Sequence, residues 1–221
     1  MTDIAANVAA VCRRMAAAAQ RAGRDPASLT LIAITKTMPA AMVDAAIAAG
    51  VGDIGESYVQ EGIDKHAQVA REARWHFVGH LQRNKASRAL QTFTLIHGVD
   101  SVALGETLAR HAAARGRPAR ILVEVNLGGE ASKHGVAPAD LPALLAALRD
   151  PHLSVEGLMT VPPAGSPDQA RQWFSRLRAL RDAAGLRELS MGMTDDFEVA
   201  IEEGATIVRV GRAIFGERRR D

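Results

Sequence analysis

Two hydrophobic patterns alternate along this chain. Short unbroken apolar runs are separated by longer stretches in which apolar residues recur every three or four positions. The runs suit strands buried on both faces, and the recurring pattern suits amphipathic helices. Residues 3–22 carry Ile4, Val8, Val11 and Met15 at helical spacing and end at Gly23, which predicts a helix ahead of the first strand. Leu31 to Ile34 form that strand. Lys36 follows at its end, and Pro39 opens a helix over residues 40–49 that Gly50 stops. Further strands are predicted at 51–56, 75–79, 95–100, 121–126, 153–160, 189–192 and 207–211. Helices fall between them, at 57–74, from HLQRNK to about residue 90, up to about residue 114, and at 138–149, 167–184 and 195–203. The helix at 167–184 sets Trp173, Leu177 and Leu180 on one face.

Eight strands alternating with helices is the pattern of a parallel sheet closed into a (β/α)8 TIM barrel, here with an extra N-terminal helix. An open doubly wound sheet is the competitor, but the first strand–helix turn lacks GxGxxG and eight strands suit closure. No linker, charge block or short repeat divides the chain, so residues 1–221 are expected to form a single domain.

Composition narrows the function classes. Of the 221 residues 48% are hydrophobic, enough for a full core, and a net charge of +2 with 4% aromatics argues against nucleic acid. The basic tail Arg218 to Arg220 reads as a solvated end. Cys12 is the single cysteine, so no internal disulfide can form. It sits on the apolar side of the first helix, as a packing residue, and fits a reducing compartment. No segment could span a bilayer or serve as a signal peptide, and a cytoplasmic location is expected.

In a barrel of this kind, reactive groups collect at the carboxyl ends of the strands. Lys36 ends the first strand, where withdrawal from water would lower its pKa and free a nucleophilic amine. Alternation along IVRVG points Arg209 into the mouth and Val208 and Val210 outward to the helices. Gly211 leaves room for a ligand at the end of the last strand. The amides of Gly211 and Arg212 open a helical turn that suits an anion. One strand earlier, Thr194 or Asp195 is the expected cap of the next helix. Loops after strands seven and eight form the usual phosphate site of this fold, so a phosphorylated carbonyl compound is the economical ligand.

Ser57 reads either as a helix cap or as a donor to an aromatic ring oxygen. His76 and His80 straddle a strand and a turn without an evident third ligand, so no metal is expected. GxSxG and GxxxxGK[ST] are both absent.

ITKTMP, GESYVQE, WHFVGHLQRNK, EVNLGGEASKHG, GLMTVPP and MGMTDDFEVAIEEGATIVRVGRAIFG closely resemble the pyridoxal phosphate homeostasis proteins. These look like the barrel domain of alanine racemase standing alone, the fold-type III group, and the resemblance covers nearly the whole chain. It implies that Lys36 carries pyridoxal 5'-phosphate as an internal aldimine. It further implies that Thr194, Gly211 and Arg212 hold the phosphate and that Arg209 faces the pyridine nitrogen.

Three positions depart from the family, which usually has asparagine at Ser57, serine at Thr194 and often threonine at Arg212. Thr194 keeps the hydroxyl, Ser57 is shorter and loses reach to the ring, and Arg212 still offers its backbone amide. The resemblance implies binding and delivery of the vitamer to apo-enzymes without established turnover.

The residues agree with that. An arginine at the ring nitrogen makes the ring a poorer electron sink, and the only tyrosine, Tyr58, lies in a first helical turn rather than opposite Lys36. A low-activity pyridoxal-phosphate enzyme acting on amino acids is the alternative, and a cofactor-free Schiff-base aldolase a third class. Lys133, in the loop after the fifth strand, is a candidate transient acceptor of the aldehyde during handover. Without the racemase's dimer-building second domain, a monomer is expected.

Overall fold

Strands whose two faces are both apolar need cover on both sides, and closing the sheet provides it. The computed structural model, which describes residues 2–217, has eight parallel strands paired in chain order, the eighth returning to the first. The strands are β1 (Thr30–Ile34), β2 (Asp53–Glu56), β3 (Arg74–Phe77), β4 (Leu95–Val99), β5 (Ala119–Glu124), β6 (Leu153–Met159), β7 (Glu188–Ser190) and β8 (Ile207–Val210). Around them run α1 (Ile4–Arg21), α2 (Ala40–Ala48), α3 (Val59–Gln68), α4 (Ala86–Thr92), α5 (Val102–Ala114), α6 (Leu141–Ala147), α7 (Pro167–Ala183), α8 (Phe197–Glu202) and the single turn α9 (Arg212–Phe215). The expected (β/α)8 barrel with an added N-terminal helix is what the chain forms.

The core divides into two unequal parts. Ala33, Ile54, Trp75, Phe77, Ile96, Val123, Leu158, Val208 and Val210 belong to one large cluster with the helices. Their strand neighbours Ile32, Leu95, Leu122, Met159 and Ile207 make a small separate cluster that Ile34 packs against. Because side chains alternate along a strand, the second cluster is the barrel interior. Branched aliphatic residues usually fill that space. Here buried Asp53, His76, His97, Glu124, Ser190 and Arg209 share it.

Several element ends differ from expectation. The third helix stops at Gln68 because the Asp44 carboxylate takes up the amides of Ala70 (3.3 Å) and Arg71 (3.2 Å), turning the chain toward β3. It begins at Val59 with Tyr58 as its flanking residue, so Ser57 is not its cap. Neither Thr194 nor Asp195 caps α8. Asp196 holds that position, and its carboxylate accepts from the amide of Met193 (2.6 Å) behind it. Cys12 is exposed, one residue beyond Val11 and off the buried stripe of α1, so it does not pack as expected. Phe174 joins Leu177 as a fully buried residue of α7, with Trp173 and Leu180 half-buried beside them. The basic tail Arg218 to Arg220 lies outside the described residues.

Close strand contact at one glycine gives a stability test. A Cβ added at Gly157 would stand 2.0 Å from the Glu188 carbonyl oxygen, backbone that cannot swing away. Gly157→Ala is therefore expected to cost about 2–3 kcal/mol and lower the melting temperature by roughly 5–10 °C, measured by thermal unfolding.

Candidate functional site

Lys36 stands two residues past β1, in a turn, half-buried. Two side chains of α3 grip the backbone on either side of it. Lys65 Nζ donates to the Thr35 carbonyl (2.5 Å), and Glu61 Oε1 accepts from the Thr37 amide (2.5 Å). Thr37 has φ 66°, the one positive φ at a described non-glycine residue, and for a β-branched side chain that costs about 1–3 kcal/mol. Such strain persists only where neighbours fix it. Beneath the turn, Lys65 Nζ also meets Glu56 Oε1 (2.8 Å) and Glu61 Oε1 (2.7 Å), and Thr35 Oγ1 donates to Glu56 Oε1 (2.5 Å). Glu56 is wholly buried. Burial raises its carboxyl pKa, and the bonds from Lys65 and Thr35 only partly offset this.

A cavity of about 580 Å³ opens above the mouth between β1 and the loops after β7 and β8. Lys36, Thr194, Arg209, Gly211 and Arg212 all line it, with Ile34, Met38, Met193 and Phe215 as apolar walls. Five of the six site residues expected from sequence are thus brought to one place. Ser57 is not among the lining residues; it stands half-buried at the carboxyl end of β2, next to β1 in the barrel. Thr194 Oγ1 accepts from the Ala213 amide (3.5 Å), tying the β7 loop to α9. The Arg212 guanidinium pairs with the Asp195 carboxylate at the rim, so its side chain is engaged by protein. Gly211 also serves a second purpose, beyond the one expected. A Cβ there would come 3.3 Å from the Ile34 carbonyl oxygen, so the glycine lets β8 close tightly on the end of β1.

Arg209 points into the interior as alternation required, and it is fully buried. Its Nη1 donates to Ser190 Oγ (2.6 Å) and its Nη2 to the Thr160 carbonyl (2.8 Å). Burial lowers its pKa to about 10, opposed by the negative charges of Glu124 and Asp196. Glu124 in turn is pushed up to about 7, chiefly by burial and then by Asp100, with Arg209 pulling the other way.

His76 and His80 part company. His76 lies inside the barrel, bonded to Asp53 (2.8 Å) and His97 (3.2 Å). His80 stacks on His134 with ring centroids 3.7 Å apart, and Asp100 lies 3.8 Å away. A third metal-ligating group therefore does stand beside His80, contrary to the sequence expectation. The two ring planes are within 10° of parallel, which sets their lone pairs side by side rather than converging on one ion. Lys133 is tied down, donating to the Pro162 carbonyl (2.8 Å) and pairing with Glu130 (2.6 Å), so at rest it is not the mobile amine expected.

Sequence reasoning missed Lys65, Glu61, Ser190, His97 and Glu124 as site-building residues. One signal was available: Lys65 shares the buried face of α3 with Val59 and Gly62, four residues after Glu61, and a lysine on an apolar stripe needs a buried partner.

The donor set suits a small anionic aldehyde: an amine at a strand end, a hydroxyl and backbone amides near a helical turn, and a buried guanidinium deeper in. Comparison with known proteins agrees. The alanine racemase N-terminal domain family matches residues 6–219. A protein of Pseudomonas aeruginosa named pyridoxal phosphate homeostasis protein is 46% identical, covering 99% of this chain and 97% of its own. One of the same name from Escherichia coli is 40% identical, covering 99% and 98%. The structure of PipY from Synechococcus elongatus with PLP bound superimposes with a TM-score of 0.82 at 37% identity, covering 93% of this chain and all (100%) of that one.

Proposed function

The chain belongs to the pyridoxal phosphate homeostasis proteins, within the alanine racemase N-terminal domain family, and on that premise we propose that its barrel mouth holds pyridoxal 5'-phosphate through Lys36, for storage and delivery of the vitamer. The observation that carries this reading is the convergence of Lys36, Thr194, Arg209 and Gly211 on one cavity. Pyridoxal phosphate supplies an aldehyde that condenses reversibly with a primary amine, releasing water. Lys36 Nζ is that amine, on a turn whose flanks Lys65 and Glu61 keep in register. The Thr194 hydroxyl and the amides of Gly211 and Arg212 take the phosphate, and Arg209 presents its guanidinium to the ring nitrogen. Ser57, at the carboxyl end of β2 and outside the cavity lining, would reach toward the ring less far than an asparagine.

Carriage rather than catalysis follows from the same residues. A guanidinium at the ring nitrogen opposes its protonation, so the ring withdraws electrons poorly. Racemisation also needs an acid/base group across from the lysine. Tyr58 is 61% exposed and does not line the cavity. The protein acts in this reading as a single-domain monomer of the cytoplasm, passing the vitamer to apo-enzymes. No helix of the described residues is long and apolar enough to cross a membrane.

One observation favours the alternative, a low-activity pyridoxal-phosphate enzyme acting on amino acids. Glu124, buried in the interior near Arg209 and raised to about 7 chiefly by burial, is the nearest group to a general acid/base, although like Tyr58 it does not line the cavity. Borohydride reduction of protein loaded with pyridoxal phosphate, followed by peptide mapping, tests the main reading. The pyridoxyl group is expected on the peptide containing Lys36; a label elsewhere, or none, overturns it. Sustained turnover on a panel of D- and L-amino acids would move the assignment to the alternative.

A further inference from the structure

Asp53, His76, His97, Ser190 and Arg209, inside the barrel, form one continuous chain of hydrogen bonds from β2 across to β8. Arg74 clamps Asp53 with two bonds of 2.7 Å, Nε to Oδ1 and Nη2 to Oδ2. Asp53 Oδ1 meets His76 Nε2 (2.8 Å), His76 Nδ1 meets His97 Nε2 (3.2 Å), and His97 Nδ1 meets Ser190 Oγ (2.9 Å). Ser190 Oγ accepts from Arg209 Nη1 (2.6 Å). His76, His97, Ser190 and Arg209 are all buried, so these groups have one another as partners in place of water.

The charges at the two ends dictate the direction of every proton between them. Arg209 can only donate, so the Ser190 hydroxyl sends its own proton on to His97 Nδ1. His97 is then protonated on Nε2 and donates to His76 Nδ1, which leaves the His76 proton on Nε2, facing the Asp53 carboxylate. Every donor in this order has an acceptor. The ends are held to match. Burial would raise Asp53, but Arg74 and His76 overcome it and keep the carboxyl at about 2. Burial above all holds His97 well below the usual histidine range.

Resting on the reading that pyridoxal phosphate binds at this mouth, we propose that Ser190, His97 and His76 are positioning residues that aim the Arg209 guanidinium at the ring nitrogen. Two acidic groups compete for that guanidinium electrostatically, Glu124 on β5 and Asp196 ahead of α8. The Ser190 hydroxyl and the Thr160 carbonyl hold it in the interior between them. Without the hydroxyl, Nη1 loses its acceptor and His97 Nδ1 its donor. The guanidinium is then drawn to a carboxylate, and a donor to the ring is lost.

Two measurements decide this. Long-range ¹⁵N–¹H correlation spectra of the wild-type protein, free of vitamer at neutral pH, should show His97 and His76 both protonated on Nε2 alone. A proton on His97 Nδ1 overturns the chain, whether or not the protein binds pyridoxal phosphate and whether or not any variant folds. In absorbance titrations, Ser190→Ala is expected to bind pyridoxal phosphate on the order of tenfold more weakly, and Ser190→Thr, which restores the hydroxyl, to recover most of that. An alanine variant as tight as wild type overturns the positioning role. Wild-type protein with the expected protonation but no affinity would overturn the proposed function and leave the hydrogen-bond chain standing.

Discussion

Lys36→Ala is expected to fold and to be unable to retain pyridoxal phosphate. The turn that carries Lys36 is secured through its backbone, by Lys65 on the Thr35 carbonyl and Glu61 on the Thr37 amide, so truncating the side chain leaves those bonds in place. Lys36 is half-buried outside the main core, and its removal should change stability by no more than about 1 kcal/mol. Affinity is a different matter. The Thr194 hydroxyl, the amides near Gly211 and the Arg209 guanidinium would remain, giving a reversible site that lacks its covalent anchor. A loss of at least about a hundredfold, close to 2.7 kcal/mol, is expected. Gel filtration after loading reads it directly: wild-type protein elutes with visible absorbance and the variant without. Lys133→Ala, whose amine is already engaged by Pro162 and Glu130, should elute coloured like wild type. A Lys36→Ala protein that kept its colour would remove the basis of the assignment.

What the sequence revealed and what it hid divide along a physical line. Strands covered on both faces read as unbroken apolar runs, and helices announce themselves by period. The order of elements, the count of eight and the strand-end positions of Lys36 and Arg209 were therefore legible. Element ends were less so, because side-chain bonds, some from remote residues and some from near ones, set them. Asp44 ends α3 from the far side of β2, and Asp196 displaces Thr194 at the start of α8.

The interior chain was invisible for the same reason. His97 and Ser190 are 93 residues apart, and only closure of the barrel makes them neighbours. Gly211 shows how one position can serve two ends: it lines the cavity, and its missing side chain also makes room for Ile34, which the sequence could not reveal. Cys12 failed on a single step of helical rotation beyond Val11.

The support beneath Lys36 predicts the largest loss of stability. Lys65 is 9% exposed at its side chain and Glu56 is fully buried, so Lys65→Met leaves a carboxylate stranded in the core. Breaking a buried pair by removing one partner costs about 3–5 kcal/mol, and here the Thr35 carbonyl loses its donor as well. The dependence on pH identifies the cause. Burial already raises the Glu56 pKa above its ordinary 4.5 in spite of Lys65, and without that ammonium it must rise further. Between the ordinary value and the raised one, the folded variant binds a proton that the unfolded chain does not, so its stability grows as pH falls through that window. Urea unfolding should therefore show a deficit against wild type that is large at pH about 8 and narrower at pH about 5.5. The double variant Lys65→Met with Glu56→Gln removes the stranded charge and should recover a substantial part of the loss at neutral pH. An equal deficit at both pH values, with no recovery in the double variant, would mean that Lys65 acts only by packing. The grip on the Lys36 turn would then have to be credited to Glu56 on the Thr35 hydroxyl and Glu61 on the Thr37 amide alone.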